Sequence, residues 1–200
     1  MKSPNVTSAR LKSPTIREAA LFVALIAIAV ASRLIEYFPP NAHAVAACAL
    51  LAGLIFRSRV VALCVPLVAM MISDSLIGGH DGLVMATVYA SLALPVIWGG
   101  LLKRDLLLTP VAAFTNSAIF YLATNFAHWY SFGDHMQEVT WTFSGLMHCY
   151  AIALPFFKFT LIGDFAYTAV LFGSYCIAQA MLGSSLAERP SLVQPNFKSA

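Results

Sequence analysis

The chain has 200 residues, 60% of them hydrophobic and only 10% charged, with a formal net charge of +3. A soluble domain carries about 25% charged residues, so this composition excludes a water-facing globule. The basic residues are scattered over short segments rather than gathered in a patch, which fits the excess of Lys and Arg in cytoplasmic loops, and no nucleic-acid partner is expected.

Residues 1–15 are rich in Ser, Pro and Lys and read as a polar cytoplasmic tail. The membrane domain spans 16–182, and 183–200, with Pro190 and Pro195, read as a second cytoplasmic tail. A first helix is expected from Thr15 to Phe38, stopping at Pro39-Pro40. It is too long for a signal peptide, lacks a clear small-residue cleavage site, and is followed by further apolar spans, so it is read as retained. Its Ala20, Ala24, Ala27 and Ala31 form a small-xxx-small face. Such a face lets helices approach closely, and internal packing is the favoured reading over contact with another subunit.

The second helix, Ala42–Phe56, is short for a span of about 20 residues, so its start is expected inside the protein. The third runs from Val60 to Ile77 and ends at the turn Gly78-Gly79-His80-Asp81-Gly82. The fourth, Leu83–Leu102, carries Pro95 as an expected kink. The fifth runs from Thr109 to Ala127. An outer segment over 128–154 mixes Trp129, Tyr130, Trp141 and Tyr150 with polar groups, as at a membrane interface, and has room for a short interfacial helix. The sixth helix is expected from Pro155 to Leu182.

Lys and Arg occupy the first tail, the gap holding Arg57 and Arg59, the gap holding Lys103 and Arg104, and the last tail. The other gaps hold His43, His80, His128, His135 and His148 with Asp81, Asp134 and Glu138. The fold class expected is therefore an all-α integral membrane protein, a bundle of about six transmembrane helices with both termini cytoplasmic.

Ionisable groups inside a span are costly and need partners or a task. Arg33 lies near the outer end of the first helix, with Glu36 on the same face. It is read either as part of an internal ion pair with Glu36 or as facing a cavity and meeting an anionic group: Asp74, Asp164 or a substrate. Asp74 stands one turn before the Gly78-Gly79 break, as a lock for the loop or as a pocket wall. Asp164 is the deepest carboxylate, about 13 Å down the sixth helix, while Lys158 points elsewhere around the helix toward the interface. Asn41 and His43 open the second helix, and Asn125 and His128 share a face of the fifth. With His80 and Tyr89 these groups converge on the outer half of the bundle, where an apolar-walled pocket with a few polar groups makes a small-molecule site. Tyr89, Trp129 and Trp141 offer stacking surface.

The outer His and carboxylates also admit an alternative, a membrane-embedded metal-binding or redox enzyme. No HxxxH or HxH spacing supports it. Cys48, Cys64, Cys149 and Cys176 form no CxxC pair and read as small hydrophobes, Cys149 alone lying where chemistry is open to it. There is no GxSxG, Walker loop or HExxH, so no enzyme activity and no cofactor are expected. A third reading is an assembly factor with no ligand.

The run Arg33…Pro40-Asn41, Pro66…Met70…Ser73-Asp74…Gly79-His80 resembles a family of uncharacterised bacterial membrane proteins that carries a transport label. The later run, Thr124-Asn125…Trp129, Gly145-Leu146…Cys149-Tyr150…Pro155-Phe156-Phe157…Gly163-Asp164, fits it as well. Phe159 departs from it, standing where the family's pattern has a polar Asn. The six-span layout is also similar to the S components of energy-coupling-factor vitamin importers. That resemblance implies a binding site formed by the loops after helices 1, 3 and 5. It also implies a transmembrane coupling subunit with ATPases as partner, contacted by the small residues of helix 1. The resulting expectation is a multi-pass protein of the bacterial inner membrane that binds a small nutrient or vitamin-like molecule. The expected contacts are Arg33, Asn41, His43, Asp74, His80, Tyr89, Asn125, His128, Trp129 and Asp164.

Overall fold

In lipid every backbone N–H and C=O must be satisfied within the protein, so an apolar chain folds as helices or as a closed barrel. This one is helical. The computed structural model describes residues 16–35, 41–78, 81–103, 105–133 and 140–187, with no strand among them. In chain order the helices are α1 (Ile16–Leu34), α2 (Val45–Ile55), α3 (Arg59–Ile77), α4 (Gly82–Ala93), α5 (Pro95–Leu101), α6 (Thr109–Phe132) and α7 (Phe143–Ala187). A single 3-10 turn, Leu106–Leu108, leads into α6. Among the described residues, four stretches are long and apolar enough to cross a membrane: Arg59–Ile77, Gly82–Leu101, Leu106–Phe132 and Phe143–Met181. The chain is accordingly read as an all-helical membrane protein. α1 is as long as α3 but carries Arg17, Glu18 and Arg33.

The centre of the bundle is α2. Its sequence, VAACALLAGLI, has no polar face, and Val45 through Leu54 are all buried. A helix hydrophobic all round belongs in an interior, and α2 is wrapped by α1, α3, α5 and α7. Its closest neighbour is α5, and glycine makes that approach possible. A Cβ on Gly99 would collide with the Leu50 carbonyl, and one on Gly53 with the Val96 carbonyl. Ser32 of α1 secures the other end of α2: its hydroxyl donates to the Ala29 carbonyl and accepts the Ala44 amide at 2.9 Å. That supplies the N-terminal acceptor that Ala44 itself lacks.

Pro95 acts as expected, breaking the fourth span into α4 and α5 at Leu94. Near this break Arg59 donates to the Val96 carbonyl, and Lys103 donates to the Phe56 carbonyl just past α2. Lys103 thus sits at the C-terminal end of α2, where the dipole favours a cation, while Arg59 holds a carbonyl in the first turn of α5.

Two expectations require correction. The stretch 128–154 is largely helical: α6 continues to Phe132, and α7 begins at Phe143 rather than Pro155. Pro155 lies inside α7. The neighbouring helix supports that turn, since the Tyr121 hydroxyl donates to the Tyr150 carbonyl at 2.6 Å and the Tyr150 hydroxyl to the Leu122 carbonyl at 2.9 Å. These bonds brace the turn before Pro155 against α6; the carbonyl that the proline leaves without a donor is that of Ala151, four residues back. Second, Ala20, Ala24, Ala27 and Ala31 are exposed, so they do not pack internally; α1 buries Leu25, Ala29 and Ser32 instead.

Candidate small-molecule site

A cavity of about 220 Å³ opens between α1, α3, α4, α6 and α7, at the end of the bundle where α1, α3 and α6 finish. Arg33 anchors one wall. Its Nη2 donates to Asp74 Oδ1 at 2.5 Å, its Nη1 meets Met70 Sδ, and its Nε has no hydrogen-bond partner. The two side chains are only 11% and 8% exposed, so the pair is largely withdrawn from solvent. Tyr89 stands within hydrogen-bonding reach of Asp74 from α4.

Asn41 forms part of the rim. Its φ of 65° is left-handed, a conformation in which Asn is among the few tolerated side chains. The backbone turns there so that Ala42 lies directly against Gly163 of α7, too close for any side chain on that glycine. Across the cavity, Asn125 Nδ2 donates to the Tyr121 carbonyl one turn below it, and Thr124 donates to the Phe120 carbonyl. The Cys149 thiol reaches the Asn125 carbonyl at 3.6 Å, which ties α7 to this wall. Aromatic surface comes from Phe156 and Phe157, the latter 4.7 Å from the Tyr121 ring centroid. The cavity therefore offers one buried charge pair, two amides and an aromatic wall.

Four of the ten residues expected at the site line this cavity: Arg33, Asn41, Asp74 and Asn125. Arg33 takes Asp74 as its partner; Glu36 and His80 lie outside the described residues. His43 lies just behind the rim, its Nδ1 3.1 Å from the Ser32 carbonyl. Burial pulls its imidazole below the ordinary 6.5, partly offset by that hydrogen bond. His128 and Trp129 lie beyond the cavity. The first stacks on Phe132 with centroids 4.9 Å apart, and the second donates its Nε1 to the Thr140 carbonyl. Asp81 joins elements instead of lining the site: it accepts the Leu83 and Val84 amides at the start of α4 and the Ser131 hydroxyl of α6. The Ser131 hydrogen bond, with those amides, holds its carboxyl below the usual range.

Asp164 is buried between α6 and α7, 5% exposed, one turn past the cavity-lining Thr160. Its Oδ2 lies 2.5 Å from Ser117 Oγ. The neighbouring Asn116 amide faces the same carboxylate without a hydrogen bond of normal geometry.

Tyr121, Thr124, Thr160 and the two phenylalanines were not among the residues expected. The sequence signal for the α6 contributors was Asn116-Ser117 followed by Thr124-Asn125, polar pairs recurring within one apolar helix. Among the described residues no three His, Cys, Asp or Glu side chains come together as a metal site. Among curated proteins and solved structures nothing matches this chain. A family model does match, over residues 14–187, and the chain belongs to that group, the family of unknown function DUF6580.

Proposed function

We propose that the chain is a substrate-binding protein of the bacterial inner membrane that takes up a small nutrient or vitamin-like molecule, in the manner of an S component. In this reading α1 and α2 complete a set of six membrane segments, both termini are cytoplasmic, and the cavity opens outward. The Lys- and Arg-poor connections at that end support the orientation. The observation that carries the reading is the cavity itself, an apolar and aromatic chamber with Arg33–Asp74, Asn41 and Asn125 as its polar groups. This is the make-up of small-molecule sites. At about 220 Å³ it lies below the range typical of drug-sized ligands, so the ligand is small. The unpartnered Arg33 Nε and the adjacent carboxylate favour a molecule bearing an anionic or zwitterionic group.

The exposed alanine face of α1 supports a partner helix, the coupling subunit that works with ATPases. The chain is not an enzyme in this reading: Arg33 and Asp74 are engaged with each other, and Asn125 and Thr124 with carbonyls of their own helix. Native mass spectrometry of gently extracted protein tests the proposal. A co-purified organic molecule, lost on Asn125→Ala in a folded variant, is expected. A wild-type protein that retains no molecule and gains no thermal stability from any member of a nutrient panel would refute it.

A further inference from the structure

The polar cluster at Asp164 lies outside the cavity, and hydrogen counting makes it chemically specific. Ser117 has one hydroxyl hydrogen but two oxygens within donor distance: the Ala113 carbonyl at 3.1 Å and Asp164 Oδ2 at 2.5 Å. One hydrogen cannot serve both. Serines in helix interiors commonly donate to the carbonyl four residues back, and if Ser117 does so, the short contact to Asp164 lacks its hydrogen. Asn116 sharpens the problem. It is 2% exposed, stands against the same carboxylate, and has neither amide atom hydrogen-bonded.

Among the described residues no counter-charge answers the carboxylate. The elements packed on α7 are α6 and α2. Among titratable groups α2 carries only Cys48, and α6 only Tyr121, His128 and Tyr130. Tyr121 is engaged at the Tyr150 carbonyl, and His128 stacks on Phe132. On α7 itself Lys158 is exposed, and Tyr167 lies next along the helix. A buried ionised carboxylate without a partner is not a stable arrangement.

We infer that Asp164, Ser117 and Asn116 form a binding site for one monovalent cation, a proton or a sodium ion, between α6 and α7. A proton on Asp164 completes the hydrogen-bond chain: the acid donates to Ser117 Oγ, and Ser117 donates to Ala113. A sodium ion would take the same oxygens, Asp164 Oδ, Ser117 Oγ and Asn116 Oδ1, a hard-donor set. The site lies one helical turn from the cavity lining. Thr160, which lines the cavity, and Thr168 are both buried and stand one turn to either side of Asp164 on the same face. The inference does not depend on the uptake reading.

Infrared difference spectroscopy of the full chain in lipid vesicles, wild type against Asp164→Asn, tests it at neutral pH in sodium-free choline buffer. A carboxylic-acid carbonyl band present in wild type and missing in Asp164→Asn is expected. Persistence of that band after sodium is added assigns a proton site; its loss with sodium but not potassium assigns a sodium-exchanging site. Absence of any Asp164-dependent band, together with no sodium-specific thermal shift, overturns the proposal. Should Asp164→Asn not fold, Ser117→Ala serves instead: it keeps the carboxyl and removes its partner, so the band must shift, and an unshifted band overturns the assignment.

Discussion

Removing one member of the Arg33–Asp74 pair isolates what holds the cavity wall. Asp74→Leu leaves a guanidinium 11% exposed, with Nε already unpartnered, Nη1 against a thioether, and Nη2 stripped of its only carboxylate. Breaking a buried pair from one side costs about 3 kcal/mol or more, because the surviving charge is buried without compensation. For a chain of this size that corresponds to a fall of roughly 6–12 °C in Tm. Arg33→Met leaves the mirror-image defect, Asp74 at 8% exposure with only Tyr89 in reach, and should cost about the same. The double variant removes both charges and lets apolar groups fill the wall, so its loss should be within about 1 kcal/mol. The assay is thermal unfolding of all four proteins in one detergent, arranged as a double-mutant cycle. Additive losses near 6 kcal/mol, or either single loss below about 1 kcal/mol, would refute the reasoning. The double variant, if stable, should bind no ligand.

Three further outcomes follow from the same structure. Gly99→Val places a side chain against the Leu50 carbonyl, where backbone cannot yield, so the loss should exceed the usual overpacking cost of about 1–3 kcal/mol; wild-type Tm in detergent would contradict the α2–α5 crossing. Asn41→Gly keeps the left-handed turn and should preserve stability while abolishing ligand retention, whereas Asn41→Val should lose about 1–3 kcal/mol from backbone strain, a contrast read by Tm and native mass spectrometry together. Burial lowers the pKa of His43, so as pH falls the unfolded chain takes up a proton before the folded one does. Its contribution to stability is complete above pH 6.5 and drains away as pH falls below it. Tm measured from pH 8 to pH 5 should therefore decline less in His43→Gln than in wild type, and equal declines would remove His43 from the account.

The helical class was legible because apolar runs separated by Gly, Pro and charge mark membrane helices directly, and Pro95 marked its break correctly. The ends of α6 and α7 were not. Pro155 reads as a helix start because a proline lacks an N–H, and the packing of the preceding turn on α6, through Tyr121 to the Tyr150 carbonyl and Tyr150 to the Leu122 carbonyl, is not encoded locally. Arg33 and Asp74 were recognisable as costly groups needing partners; their pairing required α1 and α3 to be adjacent, which local pattern does not encode. The alanines of α1 show the reverse limit: small residues announce a close approach but not which side of the helix faces the core. Asn116 and Ser117 carry no motif, and their relation to Asp164 exists only across the α6–α7 interface.

The brevity of α2 constrains how this protein is made. Eleven residues give about 16 Å of helix, roughly half of a bilayer's hydrocarbon thickness. Such a segment cannot settle as an autonomous insert, and its closest neighbour, α5, together with α7, is synthesised after it. During biosynthesis α2 therefore waits without most of its lining, sheltered only by α1 and then α3. The lining of α2 is complete only once α5 and α7, later in the chain, have been made.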